Sequence, residues 1–175
     1  VVPQLVKAGI DPTSIEYMDN PNVRTTSEYL EFPGAPHVED GIYVIITIET
    51  FNEDELDMKM EQASDICEGA GAVDVLEADE RIWSMRRNCL ESVSLISKVC
   101  TTDDVVVPVD EMSDMIQYII KTVAKYPFPL RINAHIGDGN LHIVLCKLDL
   151  SDEEWESELS SFTEEVYTYA YAHGG

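Results

Sequence analysis

Residues 130–147 read LRINAHIGDGNLHIVLCK, two alternating runs joined by Asp138-Gly139, and no other stretch restricts the fold as tightly. An Asp-Gly pair favours a two-residue hairpin turn, because the mirror-type geometry needs positive φ at both central positions. Counting outwards from that turn sets Gly137 opposite Asn140, Ile136 opposite Leu141 and His135 opposite His142. Side chains alternate between the faces of a strand. One surface of the ribbon therefore carries Ile132, Ala134, Ile136, Leu141, Ile143 and Leu145, with no polar group among them. The other carries Arg131, Asn133, His135, Asn140 and His142, ending in Val144 and Cys146. Such a ribbon has to be covered on its apolar side.

The rest of the chain supplies the cover. Ser151 with Glu154 is a capping-box start for a helix carrying Trp155, Leu159, Phe162, Val166 and Tyr169. Asp110 caps another, whose Met112, Met115, Ile116, Ile119 and Val123 recur at helical spacing. Asn52 with Glu55 opens a third, lined by Leu56, Met60, Ala63 and Cys67 and ended by Gly69 and Gly71. A long helix is expected from Asp79 to Lys98, with Ile82, Met85, Cys89, Val93 and Ile96 inside. Further strands are expected at Ser14–Met18, over 42–48, and at Ala72–Leu76 and Val105–Val107. Shorter helices are expected over 2–8 and 22–32, between prolines. The clearest strand pair is a hairpin rather than a parallel crossover. The expected fold is α+β: a mainly antiparallel sheet with helices packed on one face, in the ferredoxin-like manner.

Charge narrows the partners. Against 11 basic residues stand 34 acidic ones, a formal net charge of −23, and such a field repels a phosphate backbone. No nucleic acid is expected. The acids are spread along helices and loops and read as solvated faces. No apolar run approaches the roughly 20 residues of a membrane span, and no secretory signal opens the chain. Cys67, Cys89, Cys100 and Cys146 form no CxxC pair, as expected of reduced thiols in a cytoplasmic protein. The opening at Val1 and the close on His173-Gly174-Gly175 look like cuts through a longer protein.

Chemistry concentrates on the polar side of the ribbon. Side chains directly opposite have Cβ atoms about 5 Å apart, and two imidazoles at that spacing can share a divalent ion through bonds of about 2 Å. His135 and His142 are therefore candidate metal ligands that need a third donor; the plain alternative is two histidines bonding water and their neighbours. The GDGN turn opens no helix, unlike a phosphate loop. His37, in a proline-glycine loop, reads as a surface residue.

Residues 134–145, AHIGDGNLHIVL, resemble the GHxGDGNLH signature of the C-terminal domain of FAD-linked oxidases, the family that includes glycolate oxidase, D-lactate dehydrogenases and D-2-hydroxyglutarate dehydrogenase. Other pieces fall in order around it. GIDPTSIEYMD, residues 9–19, is similar to the family's stretch ending in E-x-M-D. Trp83-Ser84-Met85-Arg86 resembles its W-x-x-R helix, and DDVVVPVDEM, residues 103–112, its D-V-x-V-P segment.

The resemblance implies a substrate-capping domain over 1–175, built of duplicated ferredoxin-like subdomains that close over the isoalloxazine of FAD, with the FAD-binding domain and a C-terminal tail outside the fragment. It implies zinc or manganese on His135 and His142, completed by a glutamate from a later GEHG segment whose histidine is the catalytic base. Both are expected beyond Gly175, so no catalytic residue is assigned here and the fragment alone is expected to be inactive. Arg86 is implied in binding the substrate carboxylate, with Arg87 as rival, and Asn140 in contacting the cofactor. The parent would oxidise a 2-hydroxyacid to the 2-oxoacid and pass electrons to an electron-transfer flavoprotein or an iron–sulfur subunit. Two departures bear on the substrate. Thr101 and Thr102 stand where some relatives carry a lysine, leaving Lys98 the nearest base, and Val144 stands where some carry asparagine. These favour lactate or glycolate over 2-hydroxyglutarate. The alternative reading is a ferredoxin-like sensor module that binds metal or small anions without redox activity.

Overall fold

The computed structural model describes residues 1–175. Its elements follow as α1 (Val2–Lys7), β1 (Ser14–Met18), α2 (Asn20–Tyr29), β2 (Tyr43–Thr47), α3 (Glu53–Gly69), α4 (Glu80–Arg87), α5 (Cys89–Ser92), β3 (Cys100–Val106), α6 (Met112–Val123), β4 (Leu130–His135), β5 (Asn140–Cys146) and α7 (Asp152–Ala172). A 3-10 turn at Val93–Leu95 follows α5. The strands form one sheet in the order β2-β1-β4-β5-β3, every neighbouring pair antiparallel. Within it, β3-α6-β4-β5-α7 places β5 between β3 and β4, the ferredoxin-like order. The α+β expectation holds.

Helices α6 and α7 cover one face. Met115, Ile119, Phe162, Val166 and Ala170 meet Ile132, Ala134, Leu141, Ile143 and Leu145 there, all buried. The apolar stripe of α7 is set in place by its start: Ser151 accepts from the Glu154 amide while the Glu154 carboxylate accepts from Ser151 N–H. α1 and α3 extend this layer, packing Leu5 and Ala63 against Ile15.

The opposite face is covered as well, where the sequence suggested helices on one side only. Met18 and Ile45 on that side pack with Val23 of α2, Met85 of α4 and Cys89 of α5. Val144 and Cys146 pack against Val93. The apolar residues at the ends of these strands need cover, and α2, α4 and α5 supply it.

Four expected elements differ. Ala72–Leu76 forms no strand; both sheet edges, β2 and β3, lie elsewhere, and Val73 and Leu76 stay exposed. The helix expected over 79–98 stops at Asn88, whose side chain donates to Ser84 O at 2.8 Å while its own φ is −101°. An asparagine that bonds its own backbone competes with the helix at that point. Asp110 does not cap α6; Glu111 is its N-cap, with no side-chain bond. Strand β3 also starts earlier than expected, its polar Thr101-Thr102-Asp103-Asp104 run lacking an apolar signature.

The hairpin register shifts by two residues. His135 pairs with Asn140, Ala134 with Leu141 and Asn133 with His142. Only Gly139 of the turn has positive φ (87°), so the Asp-Gly pair does not make the mirror-type turn. Neighbouring strands hold the wider turn instead: Gly137 N–H donates to Ile15 O at 3.3 Å and Val107 N–H to Gly139 O at 3.0 Å. A two-residue slip leaves every side chain on its original face. The two-faced ribbon survives.

Candidate functional site

The register lays out the site in rows. One row on the α2/α4 side runs Ile45, Glu16, His135, Asn140 and Val106 across the five strands. The next runs Tyr43, Met18, Asn133, His142 and Asp104. His135 and His142 thus lie diagonally, in adjacent rows, with ring centroids 5.0 Å apart and planes at 87°. They share a face as the sequence indicated, though not a pair.

A residue without an assigned role in the sequence organises the cluster. Glu16 of β1 is nearly enclosed, its side chain 8% exposed, and so is Arg86 of α4, at 12%. Arg86 Nε donates to Glu16 Oε2 at 2.9 Å, and His135 Nδ1 lies 2.9 Å from Oε1. The carboxylate is an acceptor only, so Nδ1 of His135 carries the proton and donates. Arg86 Nη2 lies 2.8 Å from Oε2 but makes no directed hydrogen bond and is otherwise buried without a partner. Asp79 positions this helix, its side chain accepting from the Arg81 and Ile82 amides. Arg87, the rival, points away to Glu80 on the surface.

His142 is anchored in the same manner. Its Nδ1 lies 2.9 Å from Asn133 Oδ1, leaving Nε2 toward Asn140 Nδ2 and Asp104 Oδ1, both at 3.4 Å. Burial holds its pKa below the ordinary imidazole value, with Asp104 opposing and His135 and Arg86 reinforcing. A neutral ring with Nδ1 protonated offers Nε2 as a lone-pair donor. Asn140, expected at the cofactor, pairs with His135 across the strands and brings Nδ2 to 3.4 Å from His142 Nε2, with its Oδ1 buried and unpartnered.

No group of three His, Cys, Asp or Glu side chains is arranged to hold a metal ion. The two imidazoles are a partial donor set. Val144 is buried against Val93 and Cys146, while Thr102, Lys98 and His37 are exposed, His37 facing Asp74. Sequence reasoning does not single out Glu16, Asn133 or Asp104 as site residues. The segment containing Glu16 stands out in the sequence, but its contact to Arg86 crosses from β1 to α4 and no local spacing encodes it. No helix is long and apolar enough to cross a membrane.

The whole chain, residues 1–175, matches the family of FAD linked oxidases, C-terminal domain. It is 31% identical over 183 residues to a D-lactate dehydrogenase of Anaerostipes hadrus, covering 99% of this chain and 38% of that protein. It is 27% identical over 179 residues to glycolate oxidase subunit GlcD of Bacillus subtilis, covering 99% of this chain and 37% of that protein. The chain thus spans well under half the length of these relatives. Among solved structures, an alkyldihydroxyacetonephosphate synthase superposes with a TM-score of 0.58 at 15% identity, over 95% of this chain and 36% of that one, a likeness of fold.

Proposed function

The chain belongs to the FAD-linked oxidases, as their C-terminal domain, and on that footing we propose that it caps the substrate site of an enzyme oxidising a small 2-hydroxyacid to the 2-oxoacid. The observation that carries this reading is the linked set Arg86–Glu16–His135 beside His142, gathered on one sheet face. Two relatives are named for lactate and glycolate chemistry. Both are small 2-hydroxyacids.

Each residue has a task suited to its chemistry. A guanidinium pairs with a carboxylate through a planar fork, and Arg86 is held toward the histidines by Glu16. On binding, the substrate carboxylate would share the guanidinium with Glu16, against which Arg86 Nη2 is enclosed without a directed bond. Both histidines have Nδ1 committed to an acceptor, so each directs Nε2 as a ligand. That arrangement, a histidine fixed by a carboxylate or carbonyl behind it, suits metal ligation; with a third donor, His135 and His142 would hold zinc or manganese. Such an ion polarises a hydroxyl and eases loss of its proton. FAD, bound mainly by another domain, would be contacted here by Asn140 and would supply the hydride-accepting ring. Buried Val144 and the absence of a lysine on β3 favour lactate or glycolate over a larger diacid. An electron-transfer flavoprotein or iron–sulfur subunit would be the acceptor, in the cytoplasm.

The test is flavin reduction by the intact protein bearing this domain, with D-lactate, glycolate and D-2-hydroxyglutarate. Arg86→Met should lower kcat/KM by roughly 10- to 100-fold, the worth of one to two charge-assisted bonds, while Arg87→Met should leave it within about twofold. Flavin left oxidised by all three acids, or an Arg86→Met protein equal to wild type, would overturn the reading.

A further inference from the structure

At the far end of the same ribbon, away from the histidines, β3 and β5 bring two cysteines into register: Cys100 pairs directly with Cys146. Adjoining bonds fix the type of pair. Lys147 N–H donates to Val99 O at 3.0 Å, and Val107 N–H to Gly139 O at 3.0 Å, so odd-numbered positions of β3 are the hydrogen-bonded ones. Cys100 and Cys146 occupy a non-hydrogen-bonded position, where Cα atoms approach to about 4.5 Å and side chains are closest. A disulfide needs Cα atoms roughly 4.4–6.8 Å apart. The site meets that requirement with both strands where they stand.

The two thiols differ in access. Cys100 lies on an edge strand and is exposed; Cys146 is buried against Val93 and Val144. Burial raises the Cys146 thiol above its ordinary pKa, with Arg131 opposing. Cys67 on α3 and Cys89 on α5 lie in layers on opposite faces of the sheet, and neither has a cysteine partner in register.

We propose that Cys100 and Cys146 are a cross-strand thiol pair that a small-molecule disulfide converts to an intramolecular disulfide, fastening edge strand β3 to β5. Cys100, as thiolate, attacks one sulfur of the oxidant, whose S–S bond breaks and expels a small thiolate. The buried Cys146 thiol then gives up its proton and displaces the second small thiol from the mixed disulfide. One S–S bond forms for one broken, and the protein's two thiols yield two hydrogens to the oxidant. The strand so fastened, β5, carries His142, and β3 carries Asp104.

The test uses oxidised glutathione on the folded chain under native conditions, followed by intact mass and tryptic mapping. The four cysteines fall in separate tryptic peptides, with Cys100 in 99–121 and Cys146 in 132–147. The expected result is a loss of about 2 Da, reversed by dithiothreitol, with those two peptides joined and Cys67 and Cys89 still free. The exposed substitution Cys100→Ser should abolish the mass loss without altering the circular dichroism of the chain. A stable glutathione adduct left on Cys100, a bridge using Cys67 or Cys89, or no reaction would each overturn the proposal.

Discussion

Replacing Glu16 by Gln tests the organisation of the site on stability alone, without cofactor or substrate. The carboxylate is 8% exposed and its partner Arg86 12% exposed, so the substitution leaves a guanidinium enclosed without its counter-charge. Breaking an enclosed ion pair from one side costs about 3–5 kcal/mol. The glutamine carbonyl still accepts one bond and the arginine keeps some contact with water, which places the expected loss near the lower end, about 3 kcal/mol. With a urea slope of about 2 kcal/mol/M, the midpoint should fall by about 1.5 M with the slope unchanged. Arg86→Met should also destabilise, since Glu16 then keeps only His135. The double substitution Glu16→Gln/Arg86→Met, which removes both charges, should be milder than the sum by at least ~1.5 kcal/mol. A Glu16→Gln midpoint within about 0.3 M of wild type, or strict additivity in the double variant, would refute the view that this pair joins α4 to the sheet.

Two further outcomes follow from the turn and from the start of α2. Gly139 combines φ of 87° with a Cβ position 2.1 Å from Val107 O, whereas Gly71, at φ 92°, has nothing within 4 Å. Gly71→Ala should therefore cost only about 1 kcal/mol of backbone strain, and Gly139→Ala clearly more; equal melting temperatures for the two would contradict the close approach of turn and β3. Asp19 caps α2 and accepts from Ile132 N–H at 2.7 Å, and burial pushes its carboxyl up to about 6 from 3.8. A carboxyl raised in the fold stabilises it fully below its unfolded pKa, and that contribution is lost as pH climbs through about 6. At about 1.4 kcal/mol per pH unit, the stability of wild type relative to Asp19→Asn should fall by up to ~3 kcal/mol between pH 4 and pH 6.5, read by urea unfolding. A gap that stays constant or moves the other way would contradict it.

How much was legible in the sequence depends on the kind of signal each residue carries. Alternation has a period of two, so the faces of the hairpin were readable even though its register was not: Gly137 and Gly139 are fixed by Ile15 on β1 and Val107 just past β3, both distant in the chain. Ser151 and Glu154 lie within one turn of each other, and their cap forms as read. The break at Asn88 depends on one side chain turning back to Ser84, which an apolar stripe continuing through Met85, Cys89 and Val93 conceals. The apolar alternation over 72–76 reads as a strand, yet no sheet edge is there to receive it. Arg86 was distinguishable from Arg87 only by its position in a resembled motif; the structure separates them by what they face, Glu16 against Glu80.

Cover on both faces of the sheet explains why the polar cluster takes this form. On an open face, Arg86 and the histidines would be hydrated and would need no fixed partners. Under α2, α4 and α5 Arg86 loses most of its water, while His142 stays 23% and His135 42% exposed, and an enclosed charge must be matched locally. Glu16 meets that need for Arg86 and orients His135 with the same carboxylate; the neutral His142 ring needs only an uncharged acceptor, which Asn133 Oδ1 supplies. In a chain of net charge −23, an anion approaching this face meets an unfavourable field, but screening confines exposed charges to about 10 Å at 0.1 M salt. Attraction at the site must then come from groups close enough and dry enough to escape that screening. Under the proposed function Arg86, the enclosed cation beside the histidines, would supply that attraction, and Glu16 makes its enclosure tolerable.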